Sequence, residues 1–368
     1  MKNNFCISAF ILAILLLLPS AAFAQGAASA QTWPTKEGDY VVPEFHFRDG
    51  ETLANLRLHY TTLGQPRRDA SGRVTNAVLI MHGTGGTGQQ FLRPVFAGVL
   101  FGPGQLLDDS KYFIILPDDI GHGKSSKPSD GLRMKFPKYG YADMVQGEYD
   151  LVNDGLHVNH LRLVMGTSMG CMHTWMWGET YPKFMDALMP LACLPVQIAG
   201  RNRMTRKMIV DSIEDDPAWD GGNYKTEPVY GLRSALDVEL LMVSTPLYWQ
   251  HEYPTRDAAD AFLERSLAAW LKGLDANDMI YAFNASRDYD PSPDLGKIEA
   301  PLLAVNSADD FVNPPELHID DELIHRVPHG RFVLLPITSE TRGHGTHTLA
   351  AVWKNYLAEL LAESSPRH

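Results

Sequence analysis

The stretch LRLVMGTSMGCMHTWMW, from Leu161 to Trp177, constrains this chain more than any other. Apolar, strand-forming residues run straight into Gly166-Thr167-Ser168-Met169-Gly170, and a helix-forming segment follows with no spacer. The chain must therefore turn from strand to helix within that pentapeptide. Small residues on both sides of the serine permit such a turn, which lifts the hydroxyl clear of the strand end. A strand that feeds directly into a helix belongs to alternating β/α architecture, whose parallel strands are buried on both faces.

The rest of the chain repeats that alternation. YVVPEFHFRDGETLANLRLHYTTLG alternates apolar and polar residues around Arg48-Asp49-Gly50 and predicts an opening antiparallel hairpin. AVLIMHG, YFIILPDDIGHG, LRLVMGTS, DALMPLACLP, APLLAVNSADD and GRFVLLPI are short apolar runs, most ending in loop chemistry. Helical patterns such as YADMVQGEYDLVNDGL separate them, and THTLAAVWKNYLAELLAES closes the chain. The fold class is α/β: a mostly parallel, twisted sheet with helices on both faces. Residues 196–297 interrupt the alternation with helical patterns and aromatic residues. We expect them to form an inserted helical cap over the strand ends, where open α/β sheets bind ligands. The expected organisation is 1–24 leader, 25–195 first part of the core, 196–297 cap and 298–368 second part of the core.

The opening ISAFILAILLLLPSAAFA is an apolar run after Met1-Lys2-Asn3-Asn4, ending in small residues at Ala22 and Ala24. This reads as a signal peptide cleaved after Ala24, and hence as a periplasmic or secreted protein with no stable membrane insertion afterwards. The roughly 340 residues that remain exceed a typical domain of ~100–200 and can bury a large core. A net charge of −12 argues against nucleic acid, which needs a basic face. Of three cysteines, Cys171 and Cys193 follow the leader; two buried thiols are the expected state, with a bridge the alternative.

A serine hydroxyl needs a base to take its proton and an acid to orient that base. After PLLAVNS come Asp309 and Asp310, and Asp310, four residues before Pro314, is the expected acid. After GRFVLLPI come His344, set between two glycines, and His347; His344 is the expected base, and His347 is expected to pack or face solvent. His325 and His329 are expected at the surface. The oxyanion needs preorganised N–H donors. The Met169 amide and the Thr84 amide of His82-Gly83-Thr84-Gly85-Gly86 are the expected pair, with Gly83 and Gly85 as alternatives to Thr84. That loop lacks the Lys-Ser/Thr of a phosphate cradle. DYDPSPD, from Asp288, has proline where a calcium loop needs glycine and reads as a lid loop. No metal and no cofactor are expected.

With these residues in hand, the chain resembles the homoserine O-acetyltransferase family of α/β-hydrolases. The likeness is carried by FPKYGYADMVQGEYDLVNDGL, GTSMGCMHTWMWGETYPKFMDALMPLACLP, DPAWDGGNYKTEPVYGL, LDANDMIYAFNASRDYD and SADDFVNPPE. It implies the α/β-hydrolase fold, Ser168, Asp310 and His344 as a triad, an acyl-enzyme, and pairing of two copies through their caps. The departures change the expected substrate. The family's Gly-His-Asp is Gly343-His344-Gly345 here, the arginine that grips the substrate carboxylate falls at Leu236, and a nearby tyrosine falls at Val243. Loss of these partners removes recognition of a zwitterion. Export also separates the protein from acetyl-CoA.

The expectation is an exported serine hydrolase that cleaves an ester, or less readily an amide, of a small uncharged substrate. Leu236, Val243, Tyr248 and Trp249 would line its pocket. The alternatives are an acyltransferase with another alcohol acceptor, and a non-catalytic periplasmic binding protein on the same fold.

Overall fold

The computed structural model describes residues 32–364; the leader, its expected cleavage after Ala24 and Cys6 lie outside the described residues. The strands are β1 (Lys36–His46), β2 (Thr52–Leu63), β3 (Ala77–Met81), β4 (Phe113–Pro117), β5 (Leu163–Thr167), β6 (Leu188–Leu191), β7 (Leu302–Ser307) and β8 (Gly330–Leu335). They form one sheet in the order β1-β2-β4-β3-β5-β6-β7-β8. β1 and β2 are antiparallel to each other and β2 is antiparallel to β4, while the remaining pairs are parallel. The expected hairpin is therefore present, closed by Gly50, whose φ of 92° lies in the left-handed region open to glycine.

The helices are α1 (Ala97–Leu100), α2 (Tyr141–Asp150), α3 (Met169–Thr180), α4 (Gly200–Glu214), α5 (Val229–Val243), α6 (Pro246–Glu252), α7 (Arg256–Trp270), α8 (Ala276–Asn284), α9 (Ile319–Leu323) and α10 (Ala350–Glu363). Successive side chains of a strand point to opposite faces, so each short apolar run feeds two cores. In β3, Leu79 and Met81 pack with Trp175 and Trp177 of α3, whereas Val78 and Ile80 pack with Trp353 and Leu357 of α10. α3 is buried from Met169 through Gly178, which explains why its sequence is apolar on all sides rather than along one stripe. Burial of each large apolar side chain contributes about 1.5–3 kcal/mol, so α3 is anchored firmly behind the serine.

Between β6 and β7 the described residues form helices α4 to α8 and no strand. Helices α4, α5, α7 and α8 share a core of their own that includes Ile209, Ile213, Leu232, Leu236, Leu267, Ile280 and Phe283. The DYDPSPD segment clasps α2: Asp288 accepts the Tyr141 and Ala142 amides at 2.9 and 3.0 Å. Those are orphan donors of a helix start, so Asp288 serves as a cap rather than a lid residue.

Cys171 and Cys193 form a disulfide, with Cα atoms 5.8 Å apart, in place of the two thiols expected. The turn of α3 and the end of β6 bring together residues 22 positions apart, a proximity that sequence spacing does not encode.

Candidate active site

Glycine is required at both flanks of Ser168. A Cβ on Gly166 would lie 2.1 Å from the Gly170 carbonyl oxygen, and one on Gly170 would lie 2.1 Å from that of Met81. Neither contact is possible, so any larger residue would push the strand off the helix. Ser168 itself takes φ 56° and ψ −108°, a conformation that costs a non-glycine residue roughly 1–3 kcal/mol. The turn is held by Ser168 N–H donating to Leu191 O at 2.9 Å and Gly170 N–H donating to His82 O at 2.8 Å.

The structure brings together Ser168, His344 and Asp310. Ser168 Oγ lies 2.9 Å from His344 Nε2, and His344 Nδ1 lies 2.8 Å from Asp310 Oδ2. Asp310 is buried, which raises its carboxyl. His344, Asn313 and the Val312 amide outweigh that and hold it below the usual carboxylate range. Asp309 points elsewhere: it accepts Ser307 Oγ–H at 2.5 Å and Thr341 Oγ1–H at 2.9 Å, bracing the loop that carries His344. His347 packs edge-on against His344 with ring centroids 5.0 Å apart, and burial pushes it down to about 3, so it is a neutral imidazole. His325 and His329 are exposed.

The loop after β3 is fixed by two buried histidines. His82 Nε2 accepts the Asp119 N–H at 3.2 Å, so its proton sits on Nδ1 and is donated to Gly83 O at 2.8 Å. His122 Nε2 lies 2.8 Å from Thr84 O. Because a trans peptide sets its C=O and N–H in opposite directions, holding Gly83 O turns the Thr84 N–H the other way. The Met169 amide, first in α3, has no intrahelical acceptor. Two N–H groups are thus on offer near Ser168, from the elbow and from a loop whose Gly83 would bring a Cβ within 3.3 Å of Ser168 Cβ.

A residue-by-residue family model described as the alpha/beta hydrolase fold matches residues 76–336. This chain belongs to the α/β-hydrolase fold family. Among relatives of this α/β-hydrolase, a probable acyltransferase of Methanothermobacter thermautotrophicus is 29% identical over 279 residues, 76% of this chain and 84% of that protein. A homoserine O-acetyltransferase of Moorella thermoacetica is 29% identical over 312 residues, 73% of this chain and 80% of that protein. Two solved structures share the fold. Homoserine O-acetyltransferase from Bacillus anthracis has a TM-score of 0.79 and 20% identity, covering 90% of this chain and 99% of that one. An acetylester hydrolase from Corynebacterium glutamicum has a TM-score of 0.78 and 21% identity, covering 89% and 96%.

Above Ser168 this α/β-hydrolase has a cavity of about 670 Å³, walled on one side by the β3 loop and on the other by α4, α5 and α8. Leu236 and Val243 line it. Tyr248 and Trp249 are not among its lining residues: the ring of Tyr248 carries Arg342, and Trp249 packs against Phe262. The cause is the break at Ser244–Thr245, where Thr245 caps α6 and turns it away from α5. Nor is the wall uncharged. Arg206 of α4 and Glu239 of α5 both line it. Glu239 follows Leu232, Ala235 and Leu236 at helical spacing, so an acid in an otherwise apolar stripe was its sequence signal. Arg206 sits among three other basic residues of RNRMTRK and had no comparable signal.

Among the described residues, buried Asp119, Glu148 and His173 place potential metal-ligand atoms within 4.8 Å of one another. Both Glu148 oxygens are already engaged, Oε1 with His173 Nδ1 at 2.7 Å and Oε2 with Trp177 Nε1–H at 2.6 Å. Burial pushes Glu148 up to about 7, and burial with the charge of Glu148 pushes Asp119 well above the carboxylate range. Protonation relieves the repulsion between these two buried carboxyls, while Asp119 Oδ1 and Oδ2 and His173 Nε2 make no hydrogen bond among the described residues.

Proposed function

We propose that this chain is a serine hydrolase that cleaves small esters through an acyl-enzyme. The observation that carries the reading is the hydrogen-bonded series Ser168–His344–Asp310 at the floor of a roofed cavity. His344 takes the Ser168 proton as Oγ attacks the ester carbonyl, while the Asp310 carboxylate orients the ring and stabilises its charge. The Met169 and Thr84 amides receive the oxyanion. His344 then protonates the leaving alcohol, water enters, and the same steps in reverse order release the acid and restore Ser168.

Hydrolysis rather than transfer to an amino-acid acceptor is favoured by the residues that replace the family's substrate partners. Gly345 stands where the resemblance places a carboxylate, and a Cβ there would meet the Val243 carbonyl at 3.2 Å. Leu236 and Val243 stand where it places arginine and tyrosine. The leader-like opening supports export, away from cytoplasmic acyl-CoA donors. The second reading, an acyltransferase with another alcohol acceptor, draws on the names of the relatives.

Purified protein given p-nitrophenyl acetate, with and without alcohols, tests both. Acetate is expected as the main product; an acetylated alcohol dominating at millimolar acceptor overturns hydrolysis. Failure of a fluorophosphonate to label Ser168 would sink both enzyme readings and favour a binding protein.

A further inference from the structure

The guanidinium of Arg206 is the least compensated charge at the cavity wall. Arg206 is only 5% exposed. Its Nε–H donates to Asn202 Oδ1 at 3.1 Å, its guanidinium carbon stands 5.7 Å from the Phe283 ring centroid, and its Nη1 is buried with no hydrogen-bond partner. No carboxylate approaches it within ion-pair distance among the described residues. Desolvating a guanidinium without a partner is strongly unfavourable.

The acids of the same wall do not supply that partner. Asp278 accepts Ser129 Oγ–H at 2.6 Å and Ser129 N–H at 2.8 Å, and Asp275 caps α8 by accepting the Asp278 amide at 3.0 Å. Lys127 is paired with Asp130 at 2.9 Å. Glu239 hangs over the oxyanion loop, with Oε1 3.6 Å from the position of a Gly85 Cβ, and makes no hydrogen bond among the described residues. Burial pushes Glu239 up to about 7, with Arg206 opposing, so near neutrality a large share of it carries no charge that would cancel the guanidinium.

We propose that Arg206 anchors a carboxylate on the substrate, so that the preferred ester is a small one bearing a carboxylate in its acyl or alcohol half. This rests on the esterase reading of Ser168 for the reaction, but not for the binding. The arginine comes from α4, one helix away from Leu236, so the cavity recognises an anion from a different direction than the family resemblance implies. A carboxylate there would accept charge-assisted hydrogen bonds in a water-poor site, where they are strongest. It would also supply the counter-charge that the protein leaves out.

The test compares matched pairs: p-nitrophenyl hemisuccinate against its methyl ester, and 3-acetoxybenzoate against its methyl ester. Wild type is expected to favour at least one free carboxylate by about tenfold or more in kcat/KM, the range for a lost charge-assisted contact. Arg206→Met should collapse that ratio to near one, and Arg206→Lys should restore part of it. A ratio near one in wild type for both pairs, or a ratio unchanged in Arg206→Met, overturns the proposal. A readout free of turnover separates this from failure of the esterase reading. Succinate should slow fluorophosphonate labelling of Ser168 in wild type and not in Arg206→Met; equal labelling rates with and without succinate in wild type count against the anchor whatever the enzyme hydrolyses. Circular dichroism and Tm of each variant identify any that fail to fold, and Arg206→Lys carries the comparison if Arg206→Met does.

Discussion

His82 Nδ1 donates to the carbonyl of its own neighbour, Gly83, at 2.8 Å. The Gly86 amide donates to the same oxygen at 2.9 Å, so the Gly83–Thr84 peptide is clamped before any substrate arrives. Preorganised donors are worth most when they need not move during reaction.

His82→Leu is therefore expected to lower kcat on p-nitrophenyl acetate by about 10–100-fold with KM changed far less. His82→Asn can keep a donor near the Nδ1 position and should recover part of the loss. Equal losses in both variants, or a change confined to KM, would show that the clamp does not act on the oxyanion donors.

The left-handed backbone of Ser168 makes a separate stability prediction. Ser168→Gly removes the Cβ from a residue at φ 56°, whereas Ser168→Ala keeps it there. Both lose activity, and the glycine variant should be the more stable by about 1 kcal/mol after its greater unfolded-state freedom is counted. Urea titration of the two variants reads the difference directly.

Gly170→Ala should be far more damaging than an ordinary helix substitution. The added methyl would sit 2.1 Å from Met81 O, on backbone that cannot swing aside. A loss of about 3 kcal/mol or more, or failure to accumulate soluble protein, is the expected result. Gly98→Ala, whose Cβ would meet only Pro94 at 3.8 Å, is the control expected to stay near wild type.

The buried pair Asp119–Glu148 sets a pH dependence. Glu148 has a folded pKa of about 7 against 4.5 for the ordinary carboxyl, with burial the main cause. Between those values the unfolded chain has released a proton that the folded chain keeps, so stability falls as pH rises from about 4.5 to 7. Asp119, raised in the same direction by burial and by the charge of Glu148, adds to the fall. Tm measured across pH 4.5–8 should decline less steeply in Glu148→Gln than in wild type; parallel curves would mean that this pair does not titrate as described.

The Cys171–Cys193 bridge ties the helix behind Ser168 to the segment that supports Asp310. Ala192 O, next to Cys193, accepts Asn313 Nδ2–H at 2.9 Å, and Asn313 Nδ2 also donates to Asp310 Oδ2 at 3.0 Å. For a closed loop of this size, loss of a disulfide costs about 3 kcal/mol. Cys171→Ala/Cys193→Ala should unfold at correspondingly lower denaturant, whereas two independent buried thiols would give a smaller, packing-only effect.

Much of this architecture is legible along the chain because the relevant signals are local. An apolar run with β-forming residues, a pair of glycines around Ser168, and a helix apolar on every side each follow from contacts within a few residues or from burial on two faces. The nearness of Ser168, Asp310 and His344 was also legible, since all three sit at or beyond the ends of parallel strands that must lie together. The spacing to Pro314 pointed to Asp310, but what occupies Asp309 depends on Ser307 and on Thr341, more than thirty residues away.

Sequence alone determined that this chain would build a mostly parallel sheet with a strand–serine–helix turn, because periodicity and glycine sterics leave few other ways to bury it. Only the tertiary structure decided what faces the serine. Periodicity says which side of α4 or α5 is buried, but not that those sides close over a cavity. There Arg206 and Glu239, 33 positions apart, share a wall with Leu236 while Tyr248 and Trp249 turn away. The disulfide belongs to the same class of fact. Packing sets distances between residues remote in sequence, and those distances decide which charges are left for a ligand to meet.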